Sequence, residues 1–175
     1  DLKEEMDMTF VYVKHSIESA LIISDRIFVL DQSQLVQSGT PVEIYQEPKN
    51  RFIAEFMGDA NVFPLDSSAT NGDGFQLATR DDELAPLADD GDEARHLIVR
   101  YDETTVAPTL EREFGVRGTV FNKLMKGNDT LVEVVGAETG EQYFAEMEYT
   151  DAEQLDDGDD VYVQWDRADT VAVPE

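Results

Sequence analysis

Apolar residues recur along this chain with two different spacings, and the change falls near Gly58. Thr9-Phe10-Val11-Tyr12-Val13 is a β-branched and aromatic run, apolar on both faces, and it predicts a buried parallel strand. Ile17, Ala20, Leu21 and Ser24 then recur at helical spacing, with Ser16 placed as the N-cap. Residues 26–30 read as a strand, Asp31-Gln32-Ser33 as a turn and residues 34–37 as the returning strand of a hairpin. Thr40-Pro41-Val42-Glu43 has the form of a capping box with proline in the first helical position. Pro48 ends that short helix. Asn50 caps another, with Phe52, Ile53, Phe56 and Met57 on its apolar face and Gly58 in the left-handed position after its last turn.

Beyond Gly58 the pattern becomes short alternating runs. Strands are predicted at 61–65, 74–77, 96–101, 116–124, 130–135, 142–147, 160–164 and 170–173. Turn signals stand at Asn71-Gly72-Asp73-Gly74, at Lys126-Gly127-Asn128 and over 136–140, and residues 80–94 read as an acidic loop. Many short strands without a long helix predict a small β-barrel or sandwich.

Composition narrows what such a chain can do. At 175 residues it has room for one compact domain or two small ones. The 39 acidic residues against 13 basic ones give a net charge of -26, yet 41% of the chain is apolar, enough for a core. That charge repels phosphate backbones, so no nucleic-acid partner is expected. The acid is dispersed and lysine is scarce, the character of a protein from a high-salt cytoplasm, where screening makes self-repulsion tolerable. The rival reading is calcium binding at Asp-rich loops such as Asp156-Asp157-Gly158-Asp159-Asp160, which lack the ligand spacing of an EF-hand. With no cysteine and only His15 and His96 as imidazoles, thiolate and multi-histidine metal centres are excluded, and no metal site is expected. No apolar run approaches the ~18 residues of a spanning helix. The first residue is Asp rather than Met, so an N-terminal portion is expected to be missing.

His15 follows the predicted buried strand and precedes a helix, the place where ligands bind in open α/β sheets. An imidazole there can hydrogen-bond a phosphate oxygen or a catalytic water; a purely structural histidine satisfies the position equally well. Its surroundings add a family likeness. The run Phe10-Val11-Tyr12-Val13-Lys14-His15, with Glu18, Ala20-Leu21 and Ser24-Asp25-Arg26-Ile27, resembles the switch-histidine region of ATP-binding cassette (ABC) ATPases. The likeness continues through Gln37, Gly39-Thr40-Pro41, Glu43-Ile44-Tyr45, Pro48, Asn50-Arg51-Phe52-Ile53-Ala54 and Phe56-Met57-Gly58. This is similar to the end of the nucleotide-binding domain in importer ATPases of the sugar, polyamine and iron(III) type. Those subunits continue into a transport-associated OB (TOBE) module, which Leu97-Ile98-Val99-Arg100, Gly118-Thr119-Val120, residues 130–135 and Gly158–Trp165 resemble. Departures are Lys14 for the usual Thr, Ser16-Ile17 for the usual Asp-Gln, and Tyr101 where Pro is common.

The resemblance implies an α+β chain. Residues 1–58 would be the C-terminal part of an α/β ABC nucleotide-binding domain, and residues 59–175 an OB-like TOBE barrel. It makes His15 the catalytic switch histidine that contacts the ATP γ-phosphate in the full-length subunit, with ATP and Mg²⁺ as that subunit's ligands. It implies a homodimer of ATPase subunits beneath integral-membrane permeases, served indirectly by a solute-binding protein, on the cytoplasmic face of the cell membrane. The solute would be iron(III), a polyamine or a sugar, and the β domain would add regulatory and dimer contacts. The phosphate-cradling Gly-x-x-x-x-Gly-Lys-Ser/Thr loop and the Leu-Ser-Gly-Gly-Gln signature do not occur in these residues, so this chain alone is expected not to hydrolyse ATP. The alternative is a stand-alone, non-catalytic OB-like module for ligand sensing or dimerisation.

Overall fold

A computed structural model describes residues 9–13, 17–64, 78–79 and 96–174. They form two compact units, residues 1–46 and 47–175. Composition changes near Gly58, but packing divides the chain between Gln46 and Glu47. The fold is mostly antiparallel β-sheet with a few short helices.

In the first unit, helix α1 (Ile17–Ile23) leads into strands β1 (Ile27–Asp31) and β2 (Gln34–Gly39), followed by helix α2 (Pro41–Gln46). The expected hairpin forms. β1 and β2 pair antiparallel from Ile27↔Gly39 to Asp31↔Gln34. Gln32 and Ser33 both adopt positive φ in the turn between them, the sense that matches strand twist in a two-residue hairpin. One face buries Val29 and Gln37, while Phe28, Leu30 and Leu35 stay exposed.

The predicted buried strand at Thr9–Val13 is overturned. These residues have no regular structure, and Val11 and Val13 are 87% and 92% exposed. A parallel strand buried on both faces needs ladder partners and a cover on each side. Among the described residues no strand pairs with this segment. The rings of Phe10 and Tyr12, two residues apart, stack at 6.3 Å.

The second unit opens with helix α3 (Arg51–Phe56), capped as expected by Asn50, whose Oδ1 accepts the Ile53 N–H at 3.1 Å. Of its expected apolar face, Ile53 and Met57 are buried and Phe56 is exposed; Ala54 takes the remaining buried place. A three-stranded sheet has the order β11 (Val171–Val173), β5 (His96–Arg100), β3 (Ala60–Pro64). A six-stranded sheet has the order β6 (Thr105–Ala107), β10 (Asp160–Trp165), β7 (Phe114–Lys126), β8 (Asp129–Gly136), β9 (Gln142–Glu148), with β4 (Ala78–Thr79) also on β7. A short helix α4 (Tyr149–Ala152) follows β9. β6 and α4 have no counterpart in the sequence pattern. The strand expected at 74–77, the Asn71–Gly74 turn and the 80–94 loop lie outside the described residues.

The three-stranded sheet is covered on both faces, which is why all five residues of β5 are buried. Phe63, Leu97 and Val99 join the main core with Trp165, Tyr143, Val132, Val134, Val161 and Val163 from the larger sheet. Ile98 and Val173 face the other way and pack with Ala54 of α3. Phe63 is sandwiched between Trp165 at 4.3 Å and Tyr143 at 5.0 Å. Gly118 on β7 is required by close approach: a Cβ there would lie 2.5 Å from Val134 Cγ1 and 2.6 Å from the Val135 carbonyl.

Side chains, not a strand ladder, tie the outer edge of β9. Asn61 on β3 donates from Nδ2 to the Phe144 carbonyl at 2.7 Å, and its Oδ1 accepts the Phe144 N–H at 2.8 Å. One amide thus supplies both halves of a missing strand pair. Farther along, Met147 Sδ accepts the Val106 N–H at 3.3 Å. Asn61→Ala leaves both Phe144 backbone groups without this partner and is expected to lower stability by about 2–4 kcal/mol. Guanidinium unfolding at molar salt checks this, and a loss below ~1 kcal/mol overturns the assigned role.

Candidate functional site

His15, with Lys14 and Ser16, lies outside the described residues. The elements just after it are ordered by short-range chemistry. Thr40 and Glu43 form the full reciprocal box: the Thr40 N–H donates to Glu43 Oε2 at 2.8 Å, and the Glu43 N–H donates to Thr40 Oγ1 at 3.3 Å. Those bonds, the one from the Thr40 backbone foremost, hold the exposed Glu43 carboxyl below its ordinary pKa, with Arg26 adding a smaller pull. The opposite side of the hairpin presents Phe28, Leu30 and Leu35 to solvent.

In the second unit the charged and polar residues that could serve a ligand are engaged within the fold. Lys123 Nζ donates to the carbonyls of Ala152 and Leu155 at the end of α4. Lys126 pairs with Glu146 at 3.2 Å. Arg112 reaches Asp169 at 3.4 Å, Asp166 at 3.6 Å and the Glu103 carbonyl at 3.3 Å. Desolvation first, then Asp169 and Asp102, raise the Glu103 carboxyl above its ordinary pKa, opposed by Arg112. Arg117 and Arg167 lie over the rings of Tyr162 and Phe114. A shallow groove beside the β7–β8 turn carries the carboxylates Asp129 and Glu148 with Met125 and Tyr149, and no cation lines it. An oxyanion therefore finds no ready cationic cradle among the described residues.

The Asp-rich loop is self-satisfied. The Asp156 N–H donates to Asp159 Oδ2 at 2.9 Å, and Gly158 turns with φ +94°. Among the described residues no group of three or more His, Asp or Glu side chains stands close enough to hold a metal ion. Trp165 and Tyr143 are core residues, while Phe144 and Tyr162 are half-buried. No described helix is long and apolar enough to cross a membrane.

Three polar residues that sequence reasoning passed over organise this unit. Arg100, buried at the end of β5, donates to the Gly58 carbonyl at 2.6 Å and the Ala54 carbonyl at 3.4 Å. Gln164, 2% exposed, accepts the N–H groups of Glu111 and Arg112 at 2.6 and 2.9 Å and donates to the Thr109 carbonyl at 3.2 Å. Asn61 ties β3 to β9. A signal existed for each: a polar residue inside an otherwise apolar strand run must find a buried partner. His96, the second imidazole, sits on β5 with Nε2 3.5 Å from the Arg51 guanidinium.

No family model matches the chain. A search of curated proteins finds it 34% identical over 176 aligned residues to the spermidine/putrescine import ATP-binding protein PotA of Marinobacter nauticus. The alignment covers 94% of this chain and 46% of that relative, so the chain spans less than half the relative's length. Among solved structures, the cytoplasmic molybdate-binding protein ModG with molybdate bound is similar at a TM-score of 0.41 and 13% identity, over 45% of this chain and 61% of that one.

Proposed function

We propose that this chain is the C-terminal region of the ATP-binding subunit of an ABC importer. In this reading residues 1–58 are the tail of the nucleotide-binding domain, and residues 59–175 are the regulatory domain. The observation that carries it is the 34% identity to an import ATP-binding protein along 94% of the chain. The relative's name favours a polyamine among the solutes considered, with iron(III) and sugars the other classes.

His15 is the residue assigned to chemistry. Phosphoryl transfer is accelerated mainly by positioning and charge stabilisation, so an imidazole that orients the attacking water at the γ-phosphate suffices for its role. ATP and Mg²⁺ are ligands of the full-length subunit. These 175 residues hold no phosphate-cradling loop, and the described carboxylates form no metal cluster. Turnover then requires elements beyond this chain. The partners are a second ATPase subunit, the integral-membrane permeases and, through them, a solute-binding protein, at the cytoplasmic face of the membrane. The -26 charge suits a high-salt cytoplasm, where it is screened over a few ångströms.

Peptide mass spectrometry of the native polypeptide from its source cells tests this reading. A band well above 19.6 kDa with peptides upstream of Asp1, including a phosphate-loop sequence, is expected. A band at 19.6 kDa overturns it in favour of a stand-alone OB-like module.

A further inference from the structure

We infer that residues 121–126 of β7 are a docking edge for a second copy of this chain, which adds its own residues 121–126 as an antiparallel strand. The inference goes beyond the proposed function and concerns the second unit alone. β7 outruns its neighbour on one side. β10 pairs with it only from Phe114 to Thr119, whereas β8 pairs with it out to Lys126. The last link on the β10 side is Val120, whose N–H donates to the Asp159 carbonyl at 2.9 Å and whose carbonyl accepts the Gly158 N–H at 2.8 Å. Among the described residues no strand pairs with 121–126 on that side.

Parity decides which backbone groups are open. Lys126↔Asp129 closes a two-residue turn, with Gly127 at φ +86°. Asn122, Leu124 and Lys126 therefore bond to β8, and Lys123 and Met125 turn their N–H and carbonyl groups to the open side. Consistent with that sense, the Lys123 N–H is held at 2.9 Å by Oδ1 of the adjacent Asn122, a local acceptor that an incoming strand would replace. Around these groups Phe121, Leu124 and Met125 are 60%, 49% and 69% exposed. Natural edges are commonly blunted by charge. This one carries no acid in a chain of net charge -26, and Lys123 is folded away, its Nζ donating to the Ala152 and Leu155 carbonyls.

Charge selects the occupant. The open edge starts at the acidic 156–160 loop and ends at the exposed Lys126. Two-fold antiparallel pairing lays the Lys126 end of each copy beside the acidic loop of the other, so one surface supplies both halves of the complement. With Leu124 on the axis, Lys123 of one copy exchanges hydrogen bonds with Met125 of the other, Asn122 faces Lys126, and the two Leu124 side chains meet. No like charges are opposed in that register, whereas centring the pair on Lys123 would set the two lysines against each other. An acidic peptide from another protein would meet the 156–160 loop and be repelled.

Light scattering and cysteine cross-linking of the intact 175-residue chain at molar salt test the inference. The parent is expected to approach twice 19.6 kDa as its concentration rises. The chain has no cysteine, so one introduced thiol reports one place. Leu124→Cys would lie about 4.5 Å, Cα to Cα, from its symmetry mate in a non-hydrogen-bonded pair. It is expected to form an intermolecular disulfide at least about tenfold faster than Phe121→Cys, which faces Gly127 of the second copy. Met125→Pro removes an outward N–H without touching the β8 ladder and is expected to weaken dimerisation at least about tenfold, its fold checked by far-UV circular dichroism. A mass that stays monomeric throughout, equal cross-linking at 121 and 124, or a folded Met125→Pro that dimerises as tightly as the parent overturns the inference. None of these results depends on ATP or on the importer assignment, so failure here is distinguishable from failure of that reading.

Discussion

Trp165→Ala is expected to destabilise the β unit by about 3–5 kcal/mol and to lower its melting temperature by roughly 10–20 °C. Trp165 is fully buried and is the meeting point of the two sheets. Its indole stacks on Phe63 of β3 at 4.3 Å with 16° between the planes, and Phe114 of β7 lies tilted 6.5 Å away. Truncation removes the largest buried side chain and opens a cavity between two sheets whose backbones are already held by ladders, so the site cannot collapse to refill it. Trp165→Phe separates two contributions. It keeps an aromatic face for Phe63 and removes an indole N–H that has no hydrogen-bond partner among the described residues. That variant is expected to cost only about 1–2 kcal/mol, because losing an unpaired donor offsets part of the lost packing. Far-UV circular dichroism is the readout, since the substitution removes the chain's only tryptophan. An alanine variant within ~1 kcal/mol of the parent would show that the core is not organised around this residue.

The second large effect is on activity. In the full-length subunit, His15→Ala is expected to reduce ATP turnover by about 10²–10³-fold, the range for removing one positioned group that stabilises a charged transition state. Nucleotide affinity is expected to change little, because an interaction realised chiefly in the transition state lowers kcat more than it alters ground-state binding. The informative measurement is therefore a pair: steady-state turnover and equilibrium ATP binding on one preparation. A proportional loss of both would point to a folding or binding role for His15, and unchanged turnover would remove it from the chemistry. Lys14→Thr, which restores the residue usual at that place in the resembled family, makes a useful companion. A lysine ammonium is strongly hydrated and carries no role in the assigned chemistry, so turnover should stay within about threefold of the parent.

Both experiments need salt. A chain of net charge -26 repels itself over the long screening lengths of dilute buffer, and a low-salt measurement would mix that repulsion with the effect sought. Comparisons between variants are sound only at one fixed, high ionic strength.

How far the fold could be read from letters depends on how far apart the interacting residues lie. The Thr40–Glu43 box, the Asn50 cap, the Asp31–Ser33 turn and the left-handed Gly58 all formed as expected. Each involves residues within four positions of one another, where the donor, the acceptor and the backbone geometry are set by adjacent side chains. The strands at 129–136, 142–148 and 160–165 were legible to within a few residues, because a buried face imposes a period of two, and 96–100 was legible as a short continuous apolar run, the pattern of a strand buried on both faces. β6 was not legible, since Thr105-Val106-Ala107 offers a single strongly apolar residue, whereas the equally short β11 stood out as Val171-Ala172-Val173. The expectation of a buried strand at Thr9–Val13 failed for the opposite reason: its apolar pattern is strong, but among the described residues no neighbouring strand pairs with it.

The sequence by itself thus determined the local grammar of this protein: where helices start and stop, where strands run, how acidic its surface is, and which family its motifs resemble. Only the tertiary structure decided which elements belong together. It put α3 with the β unit, made Arg100, Asn61 and Gln164 the ties between distant segments, and committed Lys123 and Lys126 to carbonyl and carboxylate partners within the fold. The physical reason is that a buried polar group must find a partner wherever the chain brings one within reach. The partners here lie 42 residues from Arg100, 83 from Asn61 and 53 from Gln164, separations at which no local pattern reveals the pairing.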